Sequence, residues 1–214
     1  ALSSNSKYSE AKKWYEIYQQ AVQTDSRSLR KIEGINQLND FLKDSLTFFV
    51  EPLNINSEAS DFSPAFYPQG IVFISARGQQ VGVKHVFSWN KTSFLDMYFS
   101  RESENGMNQK PELFHQNVNT RLHEGPTVFY DEGRKMIFTR NNLLNGKKGE
   151  SKDNIVKLKL YYSEREGDIW SKPISLPFNN DDYSVGHPAI SADGKTLYFV
   201  SDMPGGKGLS LIHI

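Results

Sequence analysis

Three evenly spaced prolines constrain this chain more than any other feature. Pro64, Pro126 and Pro188 stand at equal intervals (126 − 64 = 62 and 188 − 126 = 62), and each opens the same phrase. In "SPAFYPQGIVFISAR", "GPTVFYDEGRKMIFTRNN" and "HPAISADGKTLYFVSDM" a small or polar residue precedes the proline and an apolar run follows it. A Gly-containing turn then leads into a second apolar run with a central Phe. Two short apolar runs hinged on such a turn read as a β-hairpin. Self-similarity at a fixed period is the signature of a repeat architecture, with one supersecondary unit per period.

The rest of each period repeats as well. "FLDMYFSRESENGMNQKPELF" and "LKLYYSEREGDIWSKPISLPF" align with one residue of slack. Tyr98-Phe99-Ser100 falls opposite Tyr161-Tyr162-Ser163, and Lys110-Pro111 opposite Lys172-Pro173. Each period therefore holds two more aromatic strands around a charged turn. Four antiparallel strands per period match a propeller blade. The excess over the usual ~40–50-residue blade sits in the polar loops "GQQVGVKHVFSWNKTS" and "NNLLNGKKGESKDN". The expected fold is mostly β: a partial propeller of about two and a half four-stranded antiparallel blades, spanning 47–214 and ending incompletely. Phe73, Phe138 and Phe199 are expected at equivalent inward positions on the second strand of each blade. The final "LSLIHI" reads as a doubtful strand from Leu209.

Residues 1–46 follow another period. In "YSEAKKWYEIYQQAV" the positions Ala11, Trp14, Tyr15 and Tyr18 recur at i, i+3, i+4 and i+7, a helical stripe. A second helix is expected from about Ser28 to Lys43, burying Leu29, Ile32, Ile35, Leu38 and Leu42, with Asp25 or Ser26 as its cap. Together they predict an N-terminal α-helical hairpin. Strand chemistry begins at "LTFFVEPL", where Pro52 ends any helix.

Composition narrows the function classes. Twenty-five basic and 25 acidic residues give a formal charge of zero, which offers no electrostatic case for nucleic acid or an anionic membrane. No apolar run approaches the ~20 residues of a membrane-spanning helix. Without cysteine there is no disulfide, thiolate metal site or cysteine nucleophile. His123-Glu124 opens like a zinc-protease motif, but Thr127 replaces the second His and Pro126 breaks the required helix. "SADGKTLYF" resembles a sialidase Asp-box, yet Gly194 directly follows Asp193 instead of lying two positions on. An Asp-Gly turn needs only a residue that tolerates positive φ. Asp181 and Asp182 read as a solvated loop pair, Trp170 as an inter-blade packer, and His187 as a filler of the slot held by Ser63 and Gly125. Asn90-Lys91-Thr92 fits a glycosylation sequon too short to carry weight. No nucleophile elbow, phosphate loop or dinucleotide fingerprint occurs. The expectation is a chain without enzymatic activity, metal or cofactor.

Several phrases in order carry a family resemblance: "INSEASDFSPAFY", "FSWNKTSFLDMYFS", "HEGPTVFYDEGRKMIFTRNN" and "LPFNNDDYSVGHPAISADGKTLYFVSDMPGG". Over roughly residues 47 to 208 the chain resembles the WD-like (TolB-type) propeller region of outer-membrane-protein-A-family envelope proteins of Gram-negative bacteria. Tyr8, Ala11 and Tyr15 resemble the second helix of a tetratricopeptide repeat, which commonly precedes that propeller. The resemblance implies an outer-membrane-associated periplasmic protein with protein partners in the cell envelope. It would reach peptidoglycan through a C-terminal domain outside this sequence. Some relatives link type IX secretion or gliding machinery to the cell wall. The rival reading is a propeller accessory or glycan-binding domain of a secreted hydrolase.

Overall fold

The structure, a computed structural model, describes residues 2–78, 92–104, 109–144, 146–205 and 211–213. Most of the loop after Gly78, with the Asn90-Lys91 part of the sequon, lies outside the described residues, as do 206–210 and Ile214 of the tail. The chain divides into two compact units, Ala1–Pro52 and Leu53–Ile214.

The smaller unit is helical. α1 (Tyr8–Ala21) and α2 (Ser26–Asn36) pack on one another, and a short α3 (Leu38–Phe41) follows. Asp25 caps α2, its Oδ1 accepting the Arg27 N–H at 3.0 Å. The second helix is shorter than the sequence suggests, because the chain breaks at Gln37 and restarts. Its expected buried face is not buried: Leu29 and Leu42 are exposed, and Ile32, Ile35 and Leu38 are half-buried. In α1 only Ala11 is buried, while Trp14 stays 65% exposed. Two helices of this length have too little mutual surface to cover a full apolar stripe.

The larger unit is built from antiparallel sheets. The first has order β1 (Asp61–Tyr67), β2 (Gly70–Ser75), β3 (Asp96–Arg101), β4 (Glu112–Leu113). In the second, β5 (Glu124–Tyr130) and β6 (Lys135–Asn141) form the hairpin, and a two-stranded ribbon, β7 (Leu143–Leu144) with β8 (Lys147–Lys148), occupies the polar loop. β9 (Leu158–Glu166) then pairs β6, and both β10 (Ile169–Trp170) and β11 (Ile174–Ser175) pair β9. The third is β12 (Val185–Ile190), β13 (Leu197–Ser201), β14 (Leu211–His213). The fold is thus mostly β.

The prolines lie inside the first strand of each hairpin, not ahead of it as the sequence suggests. The ladder shifts register between Phe62 and Ala65, Glu124 and Thr127, and Gly186 and Ala189. A proline cannot donate to a ladder, so a bulge, where one residue goes unpaired anyway, is where a strand tolerates it. The 62-residue interval is therefore an interval between bulges. Ser63 and His187, the residues before two of these prolines, both have φ 53°. Further registers repeat: Phe73 pairs Tyr98 and Phe138 pairs Tyr161, while Leu113 pairs Tyr98 and Ser175 pairs Tyr161.

Packing between sheets repeats too. One face of the first sheet (Val72, Ile74, Met97, Phe99) shares a core with Met136, Phe138, Tyr161 and Trp170 of the second. The opposite face of the second sheet (Ile137, Leu160) meets Val185, Ile190, Leu197 and Phe199 of the third. Because side chains alternate along a strand, each middle strand feeds both interfaces. The sheets also touch at their tips: the β5–β6 turn runs through Asp131, Glu132 and Gly133, all with φ between 53° and 77°. A Cβ on Gly133 would lie 2.6 Å from Pro68 Cδ in the neighbouring turn, so only glycine fits.

Candidate functional site

The residues singled out for chemistry are dispersed, and local structure accounts for each. His123 Nδ1 accepts the Leu95 N–H at 3.1 Å, and burial lowers its pKa. Glu124, its neighbour at the start of β5, is buried, with Oε1 held by the Thr120 N–H and hydroxyl. Asp181 accepts from Asn142 Nδ2 at 2.6 Å, and Asp182 pairs with Lys152 at 3.2 Å, which lowers its pKa. These contacts tie one loop to another. His187 is exposed, and its backbone N–H reaches Thr139 Oγ1 at 2.9 Å. Asp193 closes its own turn, accepting from the Ser191 hydroxyl at 2.6 Å and the Lys195 N–H at 3.1 Å, with Gly194 at φ 71°. Trp170 is 2% exposed and lies among Tyr67, Phe114 and Phe129, so its ring is no platform for a sugar.

Phe73 and Phe138 are buried and Phe199 is half-buried; the latter two face the preceding sheet, and Phe73 lies on the corresponding face of the first. An arginine rides over each of the first two aromatic pairs. The Arg77 guanidinium lies 4.9 Å from the Phe73 ring and 5.2 Å from Tyr98; that of Arg140 lies 4.1 Å from Tyr161 and 5.7 Å from Phe138. Arg77 also pairs with Asp61 at 2.8 Å. Burial of Asp61 pushes its pKa up, but donors from Arg77, Ser75 and Ser57 outweigh that and bring it to about 2.

Three structural features have no single-residue signal in the sequence. Burial pushes Glu124 up to about 8, against the Thr120 hydrogen bonds and with nearby Asp96 adding to the rise; burial takes Asp96 to about 6. Among the described residues Glu124 Oε2 and Arg140 Nε lack hydrogen-bond partners. Lys159 is 1% exposed, donates to the carbonyls of Asn180 and Tyr183, and is lowered by burial to about 8. The third feature is a repeated clamp. Asn119 exchanges two hydrogen bonds with the Met97 backbone, and Asn179 does the same with Leu160.

Two surface concavities stand out among the described residues. Between the first two sheets a cleft of about 430 Å³ is floored by Tyr67, Phe99 and Phe114 and rimmed by Arg101 and Arg165. Arg165 donates to Tyr67 Oη at 2.9 Å. On the helical unit, Trp14, Tyr15 and Tyr18 line an apolar groove of about 490 Å³ with Arg27 and Lys31 at its margin. Among the described residues no group of three or more His, Asp or Glu side chains is placed to hold a metal ion, and no helix is long and apolar enough to cross a membrane. No family model matches the chain, and no curated protein sequence matches it.

Proposed function

We propose that this chain is a non-catalytic scaffold and binding module of the cell envelope. In this reading the sheets are successive blades of a TolB-type β-propeller arc, about two and a half in number, preceded by a tetratricopeptide-like helical hairpin. The observation that carries the reading is the repeated interface. Two faces of consecutive sheets meet through the same strand positions, and bulges recur at one slot in all three hairpins. Stacked repeats of that kind give a rigid body whose loops and clefts present a wide contact surface. The dispersal of His123, Asp181, Asp182 and His187 into local contacts supports a binding role over a catalytic one, because catalysis needs a nucleophile, base or acid pair converging on one point.

The resemblance of several phrases to outer-membrane-protein-A-family proteins supports a periplasmic location associated with the outer membrane. Its partners there are envelope proteins, and a C-terminal domain of the wider protein would grip peptidoglycan. Fractionation of source cells tests this directly. The chain should be recovered with periplasmic and outer-membrane material, and photo-crosslinkers placed at Trp14 or Arg165 should trap envelope proteins. Recovery in the cytosol alone would overturn the assignment.

A further inference from the structure

Two arginines without an acidic partner stand over the cleft between the first and second sheets. Arg165 of β9 donates through Nη1 to Tyr67 Oη at 2.9 Å, and its guanidinium lies 5.6 Å from the centre of the Tyr67 ring. Arg101, at the end of β3, donates through Nη1 to Gln69 Oε1 and lies 5.8 Å from the Phe99 ring. Neutral acceptors and aromatic faces thus fix both groups, through the same nitrogen. Among the described residues neither guanidinium forms an ion pair, and Nε and Nη2 of each have no hydrogen-bond partner. That edge is the one an arginine offers to a carboxylate as a two-pronged fork.

The floor beside them is apolar. The Tyr67 ring meets Phe99 and Phe114 edge to face, at centroid distances of 5.4 and 5.3 Å. Tyr67 and Phe114 are only half-buried, which leaves ring surface for a ligand. The cleft of about 430 Å³ falls within the ~300–1,000 Å³ of small-ligand sites. Glu112 and Asp168 share its lining and offset the two arginines, so the site favours a single carboxylate and repels a polyanion. Its walls come from the two sheets and the segments joining their strands. The chain enters this unit on the other face of the first sheet, where Ile55 packs against Phe73 and Tyr98 and its carbonyl accepts from Arg77 Nη2.

We infer that this cleft binds the free C-terminus of a peptide whose last side chain is apolar. The α-carboxylate takes the guanidinium edges of Arg165 and Arg101, and the side chain lies on the rings of Tyr67 and Phe114. In a terminal residue the carboxylate and the side chain leave one carbon. That matches cations seated directly on the rings that form the floor. The inference deepens the binding-module reading above and rests on it.

Calorimetric titration of the whole chain with an N-acetylated tripeptide ending in phenylalanine tests it. The free acid should bind saturably, and its C-terminal amide at least about tenfold more weakly, because the amide loses the charge-assisted fork. Arg165→Gln and Arg101→Gln should each weaken the acid by a similar factor with an unchanged circular dichroism spectrum. Arg165→Lys should not restore it, since an ammonium has no planar fork. Equal binding of acid and amide by the wild type would overturn the inference, as would no binding of the acid or full affinity in both Gln variants. Inorganic phosphate displacing the peptide at lower concentration than the peptide itself would also overturn it, in favour of a phosphate site. All of these failures would leave the envelope assignment standing, which cell fractionation tests separately.

Discussion

Glu124 takes a carboxyl into the core at the start of β5, and burial holds its proton to about pH 8 against an ordinary value of 4.5. Between those limits the unfolded chain gives up the proton and the folded chain keeps it. Stability therefore falls as pH rises from about 4.5 to 8, by at most about 1.4 kcal/mol per pH unit for one group. Asp96 adds the same sense of slope from 3.8 to about 6. Glu124→Gln stays neutral and keeps an acceptor for Thr120, so urea unfolding of that variant should show a flatter profile between pH 5 and 8 and higher stability at pH 8. An unchanged profile would mean the carboxyl is ionised in the fold. The core phenylalanines give a second residue-level test. Phe138, fully buried, should lose ~3–5 kcal/mol on truncation to Ala. Half-buried Phe199 should lose clearly less in the same denaturant titration.

In the first and second sheets the third strand is tied down by an asparagine from the following linker. Removing Asn119 strands the Met97 N–H and removing Asn179 strands the Leu160 N–H, while the two carbonyls keep the Phe114 and Leu176 N–H groups. A buried group left unsatisfied costs about 1–3 kcal/mol, so each Asn→Ala change should destabilise by roughly that amount. The two sites sit on different sheets with no shared partner, and the double variant should come within about 0.5 kcal/mol of the sum. The clamp also marks the reach of sequence reading. Hairpins, turn residues and the pairing of Tyr98 with Tyr161 between repeats were legible, because period-2 strands and Gly turns leave a pattern over several residues. The bulge at each proline, the buried Glu124 and Lys159 and the asparagine clamps were not. They depend on what one strand meets on another, and a single letter records nothing of that. The helical stripe misled for a related reason: periodicity shows that an apolar face exists, and Trp14 at 65% exposure shows that a face can exist without cover.

At the scale of the larger unit, the second sheet is covered on both faces, by the first sheet on one and the third on the other. The isolated chain should turn over no peptide, ester or glycan substrate. A signal abolished by Asp181→Asn or His187→Ala would instead establish an active site among the loops. In a stack each unit draws stability from its neighbours, so protection from solvent should follow position. Hydrogen exchange on the chain, at a concentration where it is monomeric, reads this out directly. The account predicts the slowest exchange in β5, β6 and β9, faster exchange in β12 and β13, and the fastest in α1 and α2. Equal protection in the second and third hairpins, or slowest exchange in the third, would contradict the stacked arrangement.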